Sequence, residues 1–166
     1  MSETKEPAVG ALAEVRSVIE SLDDKSYVSD APGIDPMTIG QHVRHILDFY
    51  ECFLRGAHEG VIDYDDRERN HDVETVRTVA IERIDSLVCA LATVTGRERP
   101  VLVRQQTVVG TEAERCRTSV EREIAFLESH ATHHLAIVSI IMRLIGLAPK
   151  PDLGVAASTL AYRNSR

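Results

Sequence analysis

Tryptophan is absent from this 166-residue chain, and aromatic residues make up only 4% of it. A chain with so few aromatic rings offers little surface on which nucleic-acid bases could stack. An excess of positive charge is also lacking, because 19 basic residues are outnumbered by 26 acidic ones and the net charge is −7 with neutral histidine. Nucleic acids and anionic membranes bind clustered cations, so we expect neither as a partner.

Other common signals are missing as well. No apolar run approaches the ~20 residues that cross a bilayer, and the N-terminal stretch lacks the cationic segment of a secretory signal. No CxxC pair occurs among Cys52, Cys89 and Cys116, which is typical of buried thiols in a reducing compartment. Glycine-rich phosphate loops and the GxSxG motif are absent too. We therefore expect a cytoplasmic protein without phosphate-loop or serine-hydrolase chemistry.

Four stretches carry apolar residues at intervals of three and four, which predicts four amphipathic helices. Hydrophobic residues make up 43% of the chain, and its length suits one domain over residues 1–166. Asp35 and Pro36 predict the start of the second helix, as N-cap and first-turn residue. The fold class predicted is all-α, a four-helix bundle, with helices at about residues 8–22, 37–56, 73–94 and 119–144.

Residues 96–118 differ from the helical stretches. β-Branched runs at 101–103 and 107–109 precede Gly110, which predicts a short β-hairpin between the third and fourth helices. Thr118 and Glu121 have capping-box spacing at the start of the fourth helix. The charged segment 57–71 is predicted to be a long loop, and loops of that length inside a domain more often have a function than serve only as a connection.

Five of the seven histidines lie on two predicted helices: His42, His45, His130, His133 and His134. At about 100° per residue, His134 falls in the aliphatic seam of the fourth helix and His130 roughly 55° from its centre, while His133 faces away. An inward pair at i and i+4 can bind one divalent cation. A third ligand must come from the second helix, where periodicity slightly favours His42 over His45 without settling the choice.

These histidine segments resemble the DinB/YfiT-like family. The resemblance rests on TIGQHVRHILD at residues 38–48 and ESHATHH at residues 128–134, in that order and on the expected helices. It covers most of the chain from about residue 36, with weaker matches at residues 64–69, 118–127 and 152–156. It implies a four-helix bundle that binds a metal through three histidines, one on the second helix and an HxxxH pair on the last. By this resemblance the ligands are His45, His130 and His134.

What the resemblance implies for function is a metal-dependent enzyme acting on a small molecule. Characterised members are thiol S-transferases and isomerases that use low-molecular-weight thiols, so a thiol S-transfer or a related group-transfer or hydrolytic reaction is expected. The alternative is a non-catalytic, metal-binding bundle that dimerises and is linked to stress. Imidazole suits several divalent transition metals, of which we expect zinc or nickel. A homodimer is also expected, and no catalytic residue is predicted.

Residues near the histidines have two interpretations each. Asp48 either orients a histidine ligand or is a solvated carboxylate on the helix surface. Four loop residues form either a substrate-binding lip or a salt-bridged structural loop: Tyr64, Asp66, Arg67 and Arg69. Cys52 is expected to be a small buried hydrophobe, the alternative being a metal-bound or nucleophilic thiol. Glu128 is expected to point away from the histidines, the alternative being a catalytic base.

Overall fold

The computed structural model describes residues 6–33 and 37–166, so the predicted helix start at Asp35 and Pro36 lies outside the described residues. Four long helices form a bundle, as predicted, and three short helices lie between and after them. In chain order the helices are α1 (Glu6–Glu20), α2 (Asp24–Tyr27), α3 (Ile39–Glu59), α4 (His71–Thr75), α5 (Arg77–Thr93), α6 (Val120–Leu144) and α7 (Ala157–Asn164).

Helix α3 begins with a capping box. The Thr38 hydroxyl accepts from the Gln41 backbone N–H, and the Gln41 side chain accepts from the Thr38 backbone N–H. The predicted apolar stripe of α3 is buried throughout (Ile39, Val43, Ile46, Tyr50, Phe53). The helix ends at Gly60, whose φ of 85° is left-handed, and not at Gly56 as predicted.

The third predicted helix is in fact two helices. The helix is interrupted at Val76, which has extended backbone angles (φ −123°, ψ 106°) between α4 and α5. The side chain of Val76 is exposed, so it contributes little to the apolar face predicted for it.

The cap of α6 also differs from the prediction. Ser119, and not Thr118, accepts the hydrogen bond from the Arg122 backbone N–H. The Thr118 hydroxyl instead donates to the Glu123 carboxylate, 2.8 Å away.

A three-stranded sheet lies at one side of the bundle, with β1 at Val61–Asp63, β2 at Pro100–Gln105 and β3 at Glu114–Ser119. Strands β2 and β3 are antiparallel and form a hairpin between the third and fourth long helices, as predicted. Of the two β-branched runs, only 101–103 lies in a strand, because residues 107–109 lie in the connection between β2 and β3. Strand β1 was not predicted, because three residues in a charged segment are too few to show an alternation of apolar and polar side chains. It pairs in parallel with β2, and this pairing anchors the start of the loop 64–70 beside α3.

Helix α6 is the core helix, and it packs against α1 and α3. By length and composition alone it is apolar enough to cross a membrane, contrary to the expectation from the sequence, although 39% of its most apolar window is buried inside the protein. A core helix passes the same test. The burial of its inner face against two other helices is what a bundle requires.

The C-terminal segment is more ordered than the predicted loose tail. Leu153 is buried, and Gly154 has a φ of 73°. A Cβ at Gly154 would lie 2.1 Å from the Ala136 backbone nitrogen, so this segment approaches α6 closely only because the residue is glycine. Helix α7 beyond it contributes no buried residue.

Candidate metal centre

Three histidines from two helices converge on one point. His45 projects from α3, and His130 and His134 project from α6 one turn apart. One nitrogen of each ring lies within 4.8 Å of the others. The ring centroids are 4.5 Å apart for His45–His134 and His130–His134, and 5.0 Å apart for His45–His130. The structure thus brings together the three residues predicted as ligands.

This cluster fits a divalent transition metal. Zinc–nitrogen bonds are about 2.0–2.1 Å, so two nitrogens on one tetrahedral ion lie roughly 3.4 Å apart. The 4.8 Å limit on the nitrogen separations exceeds this by about 1.4 Å, so binding an ion needs only small movements of the rings. His130 Nδ1 is buried without a hydrogen-bond partner among the described residues, which is an unusual state for a polar atom. Three neutral imidazoles form a donor set compatible with a metal whose identity the geometry does not select.

Burial keeps these rings neutral. Desolvation lowers the pKa of His45 to about 4, with the nearby Arg67 charge as the next cause. Desolvation and the neighbouring His45 lower the pKa of His130 to about 4. The pKa of His134 falls to about 3 for the same reason, with His130 as its largest charge neighbour. All three rings are therefore uncharged at pH 7, which is the state that binds metal.

His134 and His130 have different neighbours. The Nδ1 atom of His134 lies 2.9 Å from the Nδ1 atom of His42, within hydrogen-bond distance. The His130 ring stacks on Phe49, with centroids 4.0 Å apart and an interplanar angle of 22°. Phe49 therefore restricts the rotation of His130, and His42 restricts that of His134.

Arg67 contacts the third histidine. Its Nη1 atom lies 2.9 Å from His45 Nδ1, and its guanidinium lies 5.6 Å from the centre of the Phe49 ring. Because arginine has only donors, His45 Nδ1 accepts this bond and the proton of the neutral ring sits on Nε2. The loop arginine therefore contacts the histidine cluster itself, an arrangement that neither loop interpretation included.

Asp48 is neither a solvated carboxylate nor a hydrogen-bond partner of His45. It is 5% exposed, and its Oδ2 atom has no hydrogen-bond partner among the described residues. Burial raises the pKa of the Asp48 carboxyl, an effect that the charges of Arg44 and Arg67 oppose. Asp48 is therefore a buried carboxyl that lies within reach of the charges of Arg44 and Arg67.

The other candidate residues lie outside the cluster. His133 is exposed, as predicted from its position on α6. Glu128 accepts a hydrogen bond from the Thr132 hydroxyl and points elsewhere. Cys52 is buried, and desolvation raises the pKa of its thiol to about 11, so it is no thiolate at neutral pH. Cys89 and Cys116, expected to be buried, are exposed.

The rest of the predicted lip is mainly structural. The buried Tyr64 hydroxyl donates to Glu123, a carboxylate that is 3% exposed. Asp66 forms an exposed ion pair with Arg55 on α3. Arg69 has a φ of 52°, and its guanidinium contacts the backbone oxygen of Arg67. These contacts hold the loop in place, and Arg67 alone among the predicted lip residues makes a hydrogen bond to the cluster within the described part of the chain.

Two cavities flank the histidines. A shallow, solvent-connected pocket of about 300 Å³ opens directly at the cluster, and its lining residues are Met37, Gln41, His42, Arg44, His45 and His134. A second cavity of about 290 Å³ lies between the hairpin and the start of α6. Tyr64 and Phe126 line this second cavity, and the Phe126 ring is 5.7 Å from that of His130, so an aromatic wall separates it from the cluster.

Sequence reasoning missed two features of this site. One is the contact of Phe49 with His130; its position four residues after His45, on the same face of α3, was a usable signal. The other is the bond between His42 and His134, which depends on how α3 and α6 are rotated against each other. No local pattern reports that rotation.

The fold and the site define a helical-bundle protein whose three-histidine cluster is compatible with a divalent metal ion. The DinB superfamily profile matches residues 9–138, and the chain belongs to this superfamily. This confirms the family resemblance and the bundle fold. No curated protein matches the chain significantly.

Proposed function

We propose that this protein is a metal-dependent enzyme that carries out thiol S-transfer, or a related group-transfer or hydrolytic reaction, on a small molecule. The observation that carries the proposal is the convergence of three neutral imidazoles beside an open pocket that His45 and His134 line. A purely structural metal site is normally closed by four protein ligands, whereas a catalytic site keeps one position open.

His45, His130 and His134 would hold the metal. A divalent cation in such a site supplies Lewis acidity, which lowers the pKa of a thiol or water in contact with it. The protein's own residues supply position: Phe49 stacks on His130, and the packing of α3 against α6 brings the three rings together.

The pocket has polar groups that suit a low-molecular-weight thiol. Gln41 and Arg44 line it beside the histidines. The Arg44 Nε atom lies 2.9 Å from Glu74, so the charge of this arginine is balanced inside the protein. A small thiol with amide or carboxylate groups has hydrogen-bonding partners on this wall.

The remaining partners are also proposals. The acidic net charge argues against nucleic acids and anionic membranes as partners. The free thiols of Cys52, Cys89 and Cys116 agree with a reducing, cytoplasmic environment. A homodimer is proposed from the family resemblance.

The first test of this function is metal content. Protein purified without chelators should hold about one zinc or nickel ion per chain, measured by elemental analysis. Replacing any one of His45, His130 or His134 with alanine should abolish most of this content, because two protein ligands are too few for a stable site. His133→Ala is the matched control, since it removes an exposed imidazole from the same helix.

Wild-type protein that never takes up zinc or nickel on titration would contradict the metal site. Loss of metal in His133→Ala with retention in His130→Ala would contradict the ligand assignment.

The second test is catalysis. The zinc- and nickel-loaded protein is screened for conjugation of low-molecular-weight thiols to electrophiles and for hydrolysis of small esters and amides. Turnover that disappears in His45→Ala supports the enzyme. Full metal occupancy with no turnover across the screen would favour the non-catalytic, metal-binding bundle.

A further inference from the structure

His42 is a buried polar neighbour of the histidine cluster, and the proposed chemistry leaves it without a role. Its side chain is 8% exposed, although it lies on the same helix as His45 and lines the same pocket. Its Nε2 atom is buried with no hydrogen-bond partner among the described residues. Leaving a buried imidazole nitrogen unpaired is unfavourable, so a compensating role is expected at the other nitrogen.

That other nitrogen, His42 Nδ1, lies 2.9 Å from His134 Nδ1. A hydrogen bond between two neutral imidazoles needs one donor and one acceptor, so the pair has two possible proton arrangements. In the first, His134 carries its proton on Nδ1 and donates to His42, which leaves the Nε2 lone pair of His134 open. In the second, His42 donates and the proton of His134 sits on Nε2, which blocks that atom.

Only the first arrangement allows His134 to bind a metal ion. Because Nδ1 of His134 is occupied by the contact with His42, Nε2 is the atom left to face the cluster. Histidine ligands generally donate their other ring N–H to an acceptor, which fixes the tautomer and the orientation of the ring. Carboxylates and backbone carbonyls usually accept this bond, and here the nearest partner is a second histidine.

We propose that His42 is a positioning residue that accepts a hydrogen bond from His134 Nδ1–H and thereby holds His134 in the tautomer that binds metal through Nε2. This inference rests on the proposed three-histidine metal site. It assigns His42 a role that differs from that of a fourth ligand, because the set of nitrogens within 4.8 Å of one another does not include it. Its influence on the metal passes through the ring of His134.

The test compares three variants by their zinc affinity, measured by competition with a chromophoric chelator at pH 7.5 on the metal-free full-length chain. His42→Phe keeps the bulk of the ring and removes the acceptor. His42→Asn restores an acceptor, since its Oδ1 atom stands as many bonds from the backbone as Nδ1 of histidine. His133→Phe is the control, because the His133 ring also contacts His134, edge to face, but it is not the hydrogen-bond partner of His134 Nδ1.

We expect His42→Phe to weaken zinc binding about 10- to 100-fold, the usual effect of removing such a partner. His42→Asn should recover most of the wild-type affinity, and His133→Phe should match wild type. A second readout is the Nδ1–H proton of His134 in NMR spectra of zinc-loaded protein. It should be protected from water exchange in the wild type and in His42→Asn, and lost in His42→Phe. Thermal unfolding of each variant checks that it is folded.

Three results would overturn the inference. Equal zinc affinity in His42→Phe and the wild type means that His42 does not position His134, while the three-histidine site survives. Equal losses in the Phe and Asn variants, with four nitrogen ligands counted by X-ray absorption, mean that His42 binds the metal itself. A wild type that binds no zinc removes the proposed function and this inference with it.

Discussion

At the scale of single residues, the site is governed by removal of water from a group of imidazoles. The rings of His45, His130 and His134 are partly buried and lie beside one another, and desolvation is the largest cause of each lowered pKa. A charged imidazole in this group would lose hydration and repel its neighbours. The site is thus kept in its metal-binding protonation state by burial.

The pH dependence of metal binding follows from these lowered pKa values. A free imidazole titrates near 6.5, and the sequence alone would place the loss of metal there. Inside the protein the three pKa values lie at about 4, 4 and 3, so protons compete with the metal only at lower pH. Zinc retained after equilibrium dialysis should stay constant from about pH 8 to pH 5 and fall below that range.

The stability of the metal-free protein at different pH values checks the lowered histidine pKa values independently of metal binding. Because the folded-state pKa values are depressed, the unfolded chain binds more protons between about pH 4 and pH 6.5, and stability falls as the pH drops through this range.

Half-loss of zinc at pH 6 to 6.5 in the dialysis experiment would contradict the argument that burial lowers the pKa values of the three histidines.

Arg67 should compete with the metal. Its guanidinium donates to His45 Nδ1, so that nitrogen cannot at once bind a cation. Binding through Nε2 would instead place a proton on Nδ1, facing another donor. Arg67 must therefore leave His45 when metal binds. We expect Arg67→Gln to raise zinc affinity about tenfold, which corresponds to ~1.4 kcal/mol.

The matched control is Arg16→Gln on α1, which makes the same change in net charge far from the site. Titration calorimetry on both metal-free variants measures the difference. An Arg67→Gln affinity equal to or below that of the wild type would show that the arginine does not oppose metal binding.

At the scale of elements, close contacts position the loop that carries Arg67. Helix α3 touches β1 at Gly56, where an added Cβ would lie 2.3 Å from the Val61 backbone oxygen and 2.5 Å from the Ile62 Cα. Strand β1 in turn pairs with β2, and the Tyr64 hydroxyl that follows it bonds to Glu123 near the start of α6. The loop is thereby tied to both ligand-bearing helices.

The contact at Gly56 leads to a stability prediction. Gly56→Ala forces β1 away from α3 and should destabilise the protein by about 1–3 kcal/mol, the usual cost of overpacking. Gly10→Ala in α1 is the control, because no packed neighbour among the described residues lies within 4 Å of the Cβ position there. There alanine should stabilise the protein by about 0.5–1 kcal/mol through its helix propensity. Urea unfolding of both variants measures the two signs, and equal effects would contradict the prediction.

At the scale of the whole molecule, the histidine cluster joins the second and last long helices of the bundle. Cross-linking of α3 to α6 by a bound ion should stabilise the fold in proportion to the logarithm of free metal concentration. The C-terminal segment beyond the family match is held on α6 by Leu153 and Gly154. That residues 1–166 make one domain stays a prediction.

The oligomeric state is also open to test. Ile140 and Leu144 lie one turn apart on the outer face of α6, and both side chains are exposed. We expect a homodimer in sedimentation runs at tens of micromolar protein, and we expect Ile140→Asp to shift it toward monomer by placing a charge on this apolar face. Val109→Asp, at a fully exposed valine between β2 and β3, should leave the dimer unchanged. A wild-type monomer at that concentration would contradict the dimer.

How much could be predicted from the sequence differs by feature. The four long helices were predictable because their buried residues recur at helical intervals, as on α3 from Ile39 to Phe53. The hairpin was predictable from the β-branched run in β2, although the second run, at 107–109, lies before β3 and not in it. Strand β1 and the break at Val76 were not, since the first depends on pairing with β2 and the second on packing between neighbouring elements.

The histidine site also has features that the sequence predicts and features that depend on tertiary packing. Helical periodicity by itself determined that His130 and His134 share one side of α6 while His133 is exposed, because a residue's direction around its own helix depends only on local geometry. Periodicity leaned toward His42 on α3, yet the tertiary structure places His45 in the cluster and His42 behind His134. That choice depends on the rotation of α3 against α6, and the position of Arg67 depends on the sheet that anchors its loop. Both are set by packing between segments far apart in the chain, which no local spacing of residues encodes.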